Sequence, residues 1–182
     1  MSRPRSLHEL VPSPAAGFDE PFAMLDACHE RIQRTLELLR RLRVHVAARG
    51  ADDQARQAAR DVLRYFDIAA PQHHLDEERH VLPALRASGD PALTGLATRL
   101  HDDHGRMEAS WAQARSILEA FADGRVAGFD ASQDEVLQTF SALYAGHLEA
   151  EERIGFPAAA ARLDASALGA MSNDMRQRRG AA

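Results

Sequence analysis

Two stretches of this 182-residue chain read His-x-x-x-Glu-Glu-Arg-x-x-x-Pro, from His73 to Pro83 and from His147 to Pro157, offset by 74 residues. Their approaches match as well: Asp61-Val62-Leu63-Arg64-Tyr65-Phe66 corresponds to Glu135-Val136-Leu137-Gln138-Thr139-Phe140. Residues four apart on a helix share a face one turn apart, so each stretch sets an imidazole beside a carboxylate. A lone histidine precedes each, His29 by 44 residues and His104 by 43, inside segments that also repeat: Leu25, Arg31 and Ile32 correspond to Leu100, Arg106 and Met107.

A single His-x-x-x-Glu is ordinarily a hydrogen-bonded pair on a helix surface. Its recurrence in one repeat frame, each copy with its own lone histidine, points instead to a shared site. Four imidazoles and two carboxylates turned into a core are costly to bury unpaired. Two divalent cations satisfy all of them, with two histidines on each ion, Glu77 and Glu151 bridging the pair, and coordination positions left open. Imidazole and carboxylate without thiolate suit iron, and also manganese or zinc.

Four long helices are needed to carry these residues. Pro21 suits the first turn of a helix starting near Asp19, and Phe22, Leu25, Ile32, Leu36, Leu39 and Val46 keep helical spacing up to Gly50. A second helix, capped by Asp52 or Asp53, runs to about Ala87; Pro71 inside it predicts a kink or local opening. Gly89-Asp90-Pro91 ends that helix and starts a third, which reaches Asp123-Gly124, and a fourth spans about Ser132 to Ala161. The expected fold is all-α: an antiparallel up-down four-helix bundle over residues 19–162, built from two pseudo-twofold-related helical hairpins. An extended or mobile N-terminal arm at 1–18 precedes it. A C-terminal tail at 163–182 follows, with a short helix and a solvated end carrying Arg176, Arg178 and Arg179.

Composition narrows the classes. The net charge is -5, all 22 basic residues are arginine, and no basic block is present, which argues against nucleic acid as a partner. The single cysteine, Cys28, excludes an internal disulfide and suggests a reducing compartment. No apolar stretch is long enough to span a bilayer, and the basic start is broken by His8, Glu9, Pro12 and Pro14 before it can form a secretory signal. The expectation is a cytoplasmic protein that binds neither nucleic acid nor membrane. Among nine histidines, His8, His45 and His80 show no partner pattern and read as surface residues.

Other residues near the motifs invite roles. His74 and Glu78 also stand four apart, but Leu148 follows His147, so the repeat selects His73 and Glu77. His74 then becomes a candidate to support the ligands from behind or to be solvated. His101, one turn before His104, is a candidate hydrogen-bond partner or an extra ligand. Tyr144, one turn before His147, either packs in the core or hydrogen-bonds a bridging carboxylate or bound oxygen species. Cys28 lies about 100° around the helix from His29 and reads as a packing thiol.

The combination of Ala27-Cys28-His29-Glu30-Arg31, His73-His74-Leu75-Asp76-Glu77-Glu78 before Pro83, Asp102-Asp103-His104 before Trp111, and His147 to Pro157 resembles the hemerythrin-like, or HHE cation-binding, family over roughly residues 20–160. The resemblance implies a four-helix bundle with a carboxylate-bridged non-haem di-iron centre, His29, His73, His104 and His147 as terminal ligands and Glu77 and Glu151 as bridges. Oxygen-carrying members have a fifth histidine and an aspartate on the last helix. This chain carries His-x-x-x-Glu there, as the iron–sulfur-cluster repair di-iron proteins do. The expected function is therefore a di-iron centre that binds or reacts with O2, NO or peroxide, served by an electron donor. The alternatives are a di-iron enzyme (peroxide dismutation, NO reduction or cluster repair) and a metal-stabilised regulatory module with a closed site.

Overall fold

Every regular element among residues 17–180, which the computed structural model describes, is a helix. The expected N-terminal arm lies outside these residues except for Gly17 and Phe18. Helix α1 spans Pro21–Arg49, with proline in its first turn. It ends at Gly50, whose φ of 77° is the left-handed backbone that favours glycine. The Asp52 side chain then accepts the Ala55 N–H at 2.7 Å and starts the next helix.

That helix, α2, covers residues 53–86 in five pieces: Asp53–Arg64, a wide π turn at Tyr65–Ala69, Ala70–Asp76, a second π turn at Glu77–Val81, and Leu82–Arg86. Helix α3 spans Pro91–Ala122 behind an Asp90 cap. Helix α4 covers residues 131–160 as Ala131–Ala150, a π turn at Glu151–Gly155 and Phe156–Ala160, and opens with a reciprocal capping box between Asp130 and Gln133. Helix α5 spans Ala165–Arg178.

The three π turns share one cause. Each closes a backbone bond five residues long (Ala70 to Tyr65, Leu82 to Glu77, Phe156 to Glu151) and is followed at once by a proline, Pro71, Pro83 or Pro157. Proline cannot donate the next rung, and its ring would press on the carbonyl of a regular preceding turn. The wider turn relieves this, so the local opening expected at Pro71 recurs at the other two prolines. Two of the three turns begin on the repeated glutamates Glu77 and Glu151.

In the packing, α1 lies against α2 and α4, and α3 lies against the same two helices. The apolar core is in two pieces. One gathers Ile32, Leu39, Phe66, Phe121 and Phe140; the other gathers Leu25, Leu82, Leu100, Phe156, Met171 and Met175. Between them every long helix places a polar residue: His29 between Leu25 and Ile32, His73 and Glu77 between Ala70 and Val81, His104 between Leu100 and Met107, Glu151 between Leu148 and Phe156. No described helix is long and apolar enough to cross a membrane.

The C-terminal helix is a structural lock. Met171 and Met175 are fully buried in the second core piece. Arg178 and Arg179 are not solvated as expected: both pair with Asp76, which is 0% exposed and immediately precedes Glu77. His80 also has a partner, Asp174 of α5 at 2.9 Å, and His45 bonds the capping Asp52 at 2.7 Å. Neutralising the buried Asp76 carboxylate leaves Arg179 without its acidic partner and Arg178 with Asp174 alone. Asp76→Asn should therefore lower unfolding stability by about 3 kcal/mol or more in urea titration; a loss below ~1 kcal/mol, the size of a surface pair, would contradict the lock.

Candidate metal centre

The polar layer between the core pieces assembles side chains from all four long helices. Nε2 of His73 lies 3.0 Å from Glu77 Oε1, and Nε2 of His29 lies 3.8 Å from the same oxygen. The other oxygen of Glu77 lies 3.3 Å from Nε2 of His104. Glu151 repeats the arrangement, with Oε2 3.2 Å from His29 and Oε1 3.1 Å from His147. Each carboxylate thus turns one oxygen to the His29–His73 pair and one to the His104–His147 pair.

Two overlapping sets result among the described residues: His29, His73, Glu77 and Glu151, and Glu77, His104, His147 and Glu151. All members are buried, and within each set one ligand atom from every member lies within 4.8 Å of the others. The four Nε2 atoms and both oxygens of each glutamate are enclosed without a hydrogen-bond partner. They are close to one another but converge on common points between them. Buried polar atoms are otherwise nearly always satisfied. Nitrogen and carboxylate oxygen lone pairs aimed at a shared point are the donor set of a metal cation, and they fit one.

The far nitrogens of these rings are held from behind. Nδ1 of His29 bonds Glu152 at 2.9 Å, and Nδ1 of His104 bonds Glu78 at 2.7 Å. An Nδ1–H donated to a carboxylate leaves the Nε2 lone pair free to face the centre. The two bonds are related by the repeat: the second glutamate of each Glu-Glu pair reaches the lone histidine of the other hairpin. His147 has Asp103 within 3.4 Å of its Nδ1. Cys28, the repeat counterpart of Asp103, sits beside His73, so the thiol packs against the cluster itself.

The remaining singled-out residues lie around this layer. His101 is largely exposed and bonds Glu78 at 3.0 Å, at the same carboxylate oxygen that His104 bonds. Tyr144 is buried, with ring centroids 5.7 Å from Phe66 and 5.5 Å from Phe140. His74 stacks on His104 at 4.3 Å, with 15° between the rings. Glu152 and Asp103 were not marked as partners by spacing, because their hydrogen bonds cross between hairpins. The signal that points to Glu152 is the doubled glutamate.

The sequence profile of the hemerythrin HHE cation-binding domain matches residues 20–159. The chain belongs to this hemerythrin HHE family. A relative is an uncharacterized protein of Haemophilus influenzae, 28% identical over 170 residues, which span 93% of this chain and 96% of the relative. The buried cluster is compatible with the cation binding from which this hemerythrin family takes its description.

Protons compete for it. Burial opposes a charge on His29, but the carboxylates of Glu151 and Glu77 outweigh it and hold the imidazole up at about 9, against an ordinary 6.5. Burial is likewise overcome at His73 and His104, which Glu77 raises, while Glu77 itself is driven well below the carboxylate range by His73, His104 and His29. A cation must therefore displace protons to enter. Metal-free protein should show the linkage directly. His29 is raised in the folded state, so its contribution is complete below about pH 6.5 and is lost as pH climbs through about 9. The thermal midpoint of chelator-stripped protein should fall between those limits; a midpoint that stays level or rises there would contradict the assignment.

Proposed function

We propose that this hemerythrin-like domain holds two iron ions, one by His29 and His73, the other by His104 and His147, with Glu77 and Glu151 bridging them. The four long helices form an antiparallel up-down bundle around the pair; the alternating order in which α1 to α4 pass between the two core pieces supports this. The observation that carries the reading is the set of eight enclosed, unpartnered ligand atoms, split evenly between two points that share both carboxylates. A single cation would leave half of the imidazoles orphaned.

Iron held in this way supplies open coordination positions and a change of oxidation state. The protein's own groups do the rest. Each bridging carboxylate keeps its two oxygens on opposite sides of the layer. Glu152 and Glu78 fix the tautomer and ring orientation of His29 and His104. The core pieces above and below keep bulk water from the centre. Such a site suits a small ligand of the O2, NO or peroxide type, with an electron donor to reset the iron. A cavity reaching His104 favours this open reading over a closed, structural metal site.

The test is optical. Iron-loaded protein should change its absorption spectrum on adding at least one of oxygen, hydrogen peroxide or nitric oxide. No response to any of the three would sink the proposal, as would zinc as the only metal in protein purified from its native cells.

A further inference from the structure

Besides the exchange of Asp103 for Cys28, the pseudo-twofold repeat is broken at a second position beside the centre. Where the second hairpin has Leu148, the first has His74; Leu148 is buried, and His74 is partly buried with its Nε2 enclosed. Among the described residues, ten buried side-chain atoms lack a hydrogen-bond partner. Two cations satisfy eight of them. A ninth, His73 Nδ1, has the Cys28 thiol beside it. The tenth is Nε2 of His74, and neither the proposed ions nor a neighbouring side chain gives it a partner.

His74 is not a spare ligand. It stacks face to face on His104, with centroids 4.3 Å apart. An imidazole binds a metal in its own ring plane, so two stacked rings do not share an ion. His74 also stands outside both ligand sets.

Its surroundings are those of a ligand chamber. A cavity of about 470 Å³ runs between α2 and α3, walled by Phe66, Pro71, Leu75, Met107 and Trp111, and lined at its inner end by His74 and His104. At the His29 end of the centre the Phe156 ring lies 5.0 Å from the His29 ring instead. His29 and His73 are each 1% exposed against 8% for His104. The two halves of the centre are therefore unequal: one is capped by an aromatic ring, and the other meets a mainly apolar chamber that Glu78, His101 and Glu108 also line and that holds one unpaired imidazole nitrogen.

We propose that His74 is the positioning residue for the exogenous ligand. It donates a hydrogen bond from Nε2 to a small ligand that enters through the α2–α3 cavity and binds at the His104–His147 end of the centre. This rests on the gas- or peroxide-binding reading above, and it adds which half of the centre reacts and which residue holds the ligand there. The mainly apolar walls admit a diatomic molecule or its small anionic analogues, and the unpaired His74 nitrogen orients it beside His104.

The experiment uses iron-loaded full-length protein, azide and nitric oxide as probes, and two variants. His74→Leu installs the residue found at the repeat position, and His74→Gln keeps a donor. Iron content should stay at the wild-type level in both. The azide Kd should rise about tenfold in His74→Leu, the worth of one hydrogen bond, and the infrared stretch of bound azide or nitric oxide should shift. His74→Gln should recover part of both. An unchanged Kd and an unshifted stretch in His74→Leu, with wild-type binding intact, would overturn the role of His74 alone. Loss of iron in both variants would make His74 a metal ligand and overturn it differently. A wild-type protein that takes neither probe would bring down the underlying reading together with this one.

Discussion

Two glutamates with no exposed surface sit among four buried imidazoles, and this arrangement governs the rest of the molecule. Carboxylates so placed need positive charge, supplied either by protons on the imidazoles or by cations. The raised His29, His73 and His104 and the depressed Glu77 describe the first solution. The atoms left without hydrogen bonds describe the second. The core divides into two apolar pieces because this layer must lie between them. Every long helix spends a turn in the layer, and the helices carrying Glu77 and Glu151 do so through a widened turn.

The layer is also braced from outside. Glu78 and Glu152 orient one histidine of the opposite hairpin each, so the two repeats are stitched through these histidines rather than merely packed. Asp76, one residue before Glu77, is gripped by Arg178 and Arg179 of α5. The last helix thereby fixes the backbone from which a central glutamate projects. Symmetry gives the centre its two halves, and departures from symmetry give them character. His74 replaces a leucine, Cys28 stands where the other hairpin has Asp103, and Phe156 covers only the His29 side.

The helices and the six convergent residues were legible in the chain because both are local signals. Apolar spacing, capping aspartates and Gly-Asp-Pro junctions mark helix ends, and a motif repeated at an offset of 74 residues survives any uncertainty in those ends. What escaped was whatever joins distant segments. Nothing in spacing says that Arg178 will reach Asp76, that His80 will meet Asp174, or that Glu152 will bond His29 across 123 positions. The widened turns were half legible: Pro71, Pro83 and Pro157 announce a disturbed helix, but only packing decides between a kink and an extra residue in the turn. Cys28 shows the limit of counting angles on one helix. It does point away from His29, and it thereby meets His73 on another.

The central claim is that two ions share Glu77 and Glu151, and metal stoichiometry tests it most directly. Elemental analysis of iron-loaded protein should find close to two ions per chain. His73→Ala and His147→Ala, which strike opposite halves of the centre, should each fall to about half of that or below. A wild-type content of one ion or none per chain, or an unchanged content in both variants, would contradict the account.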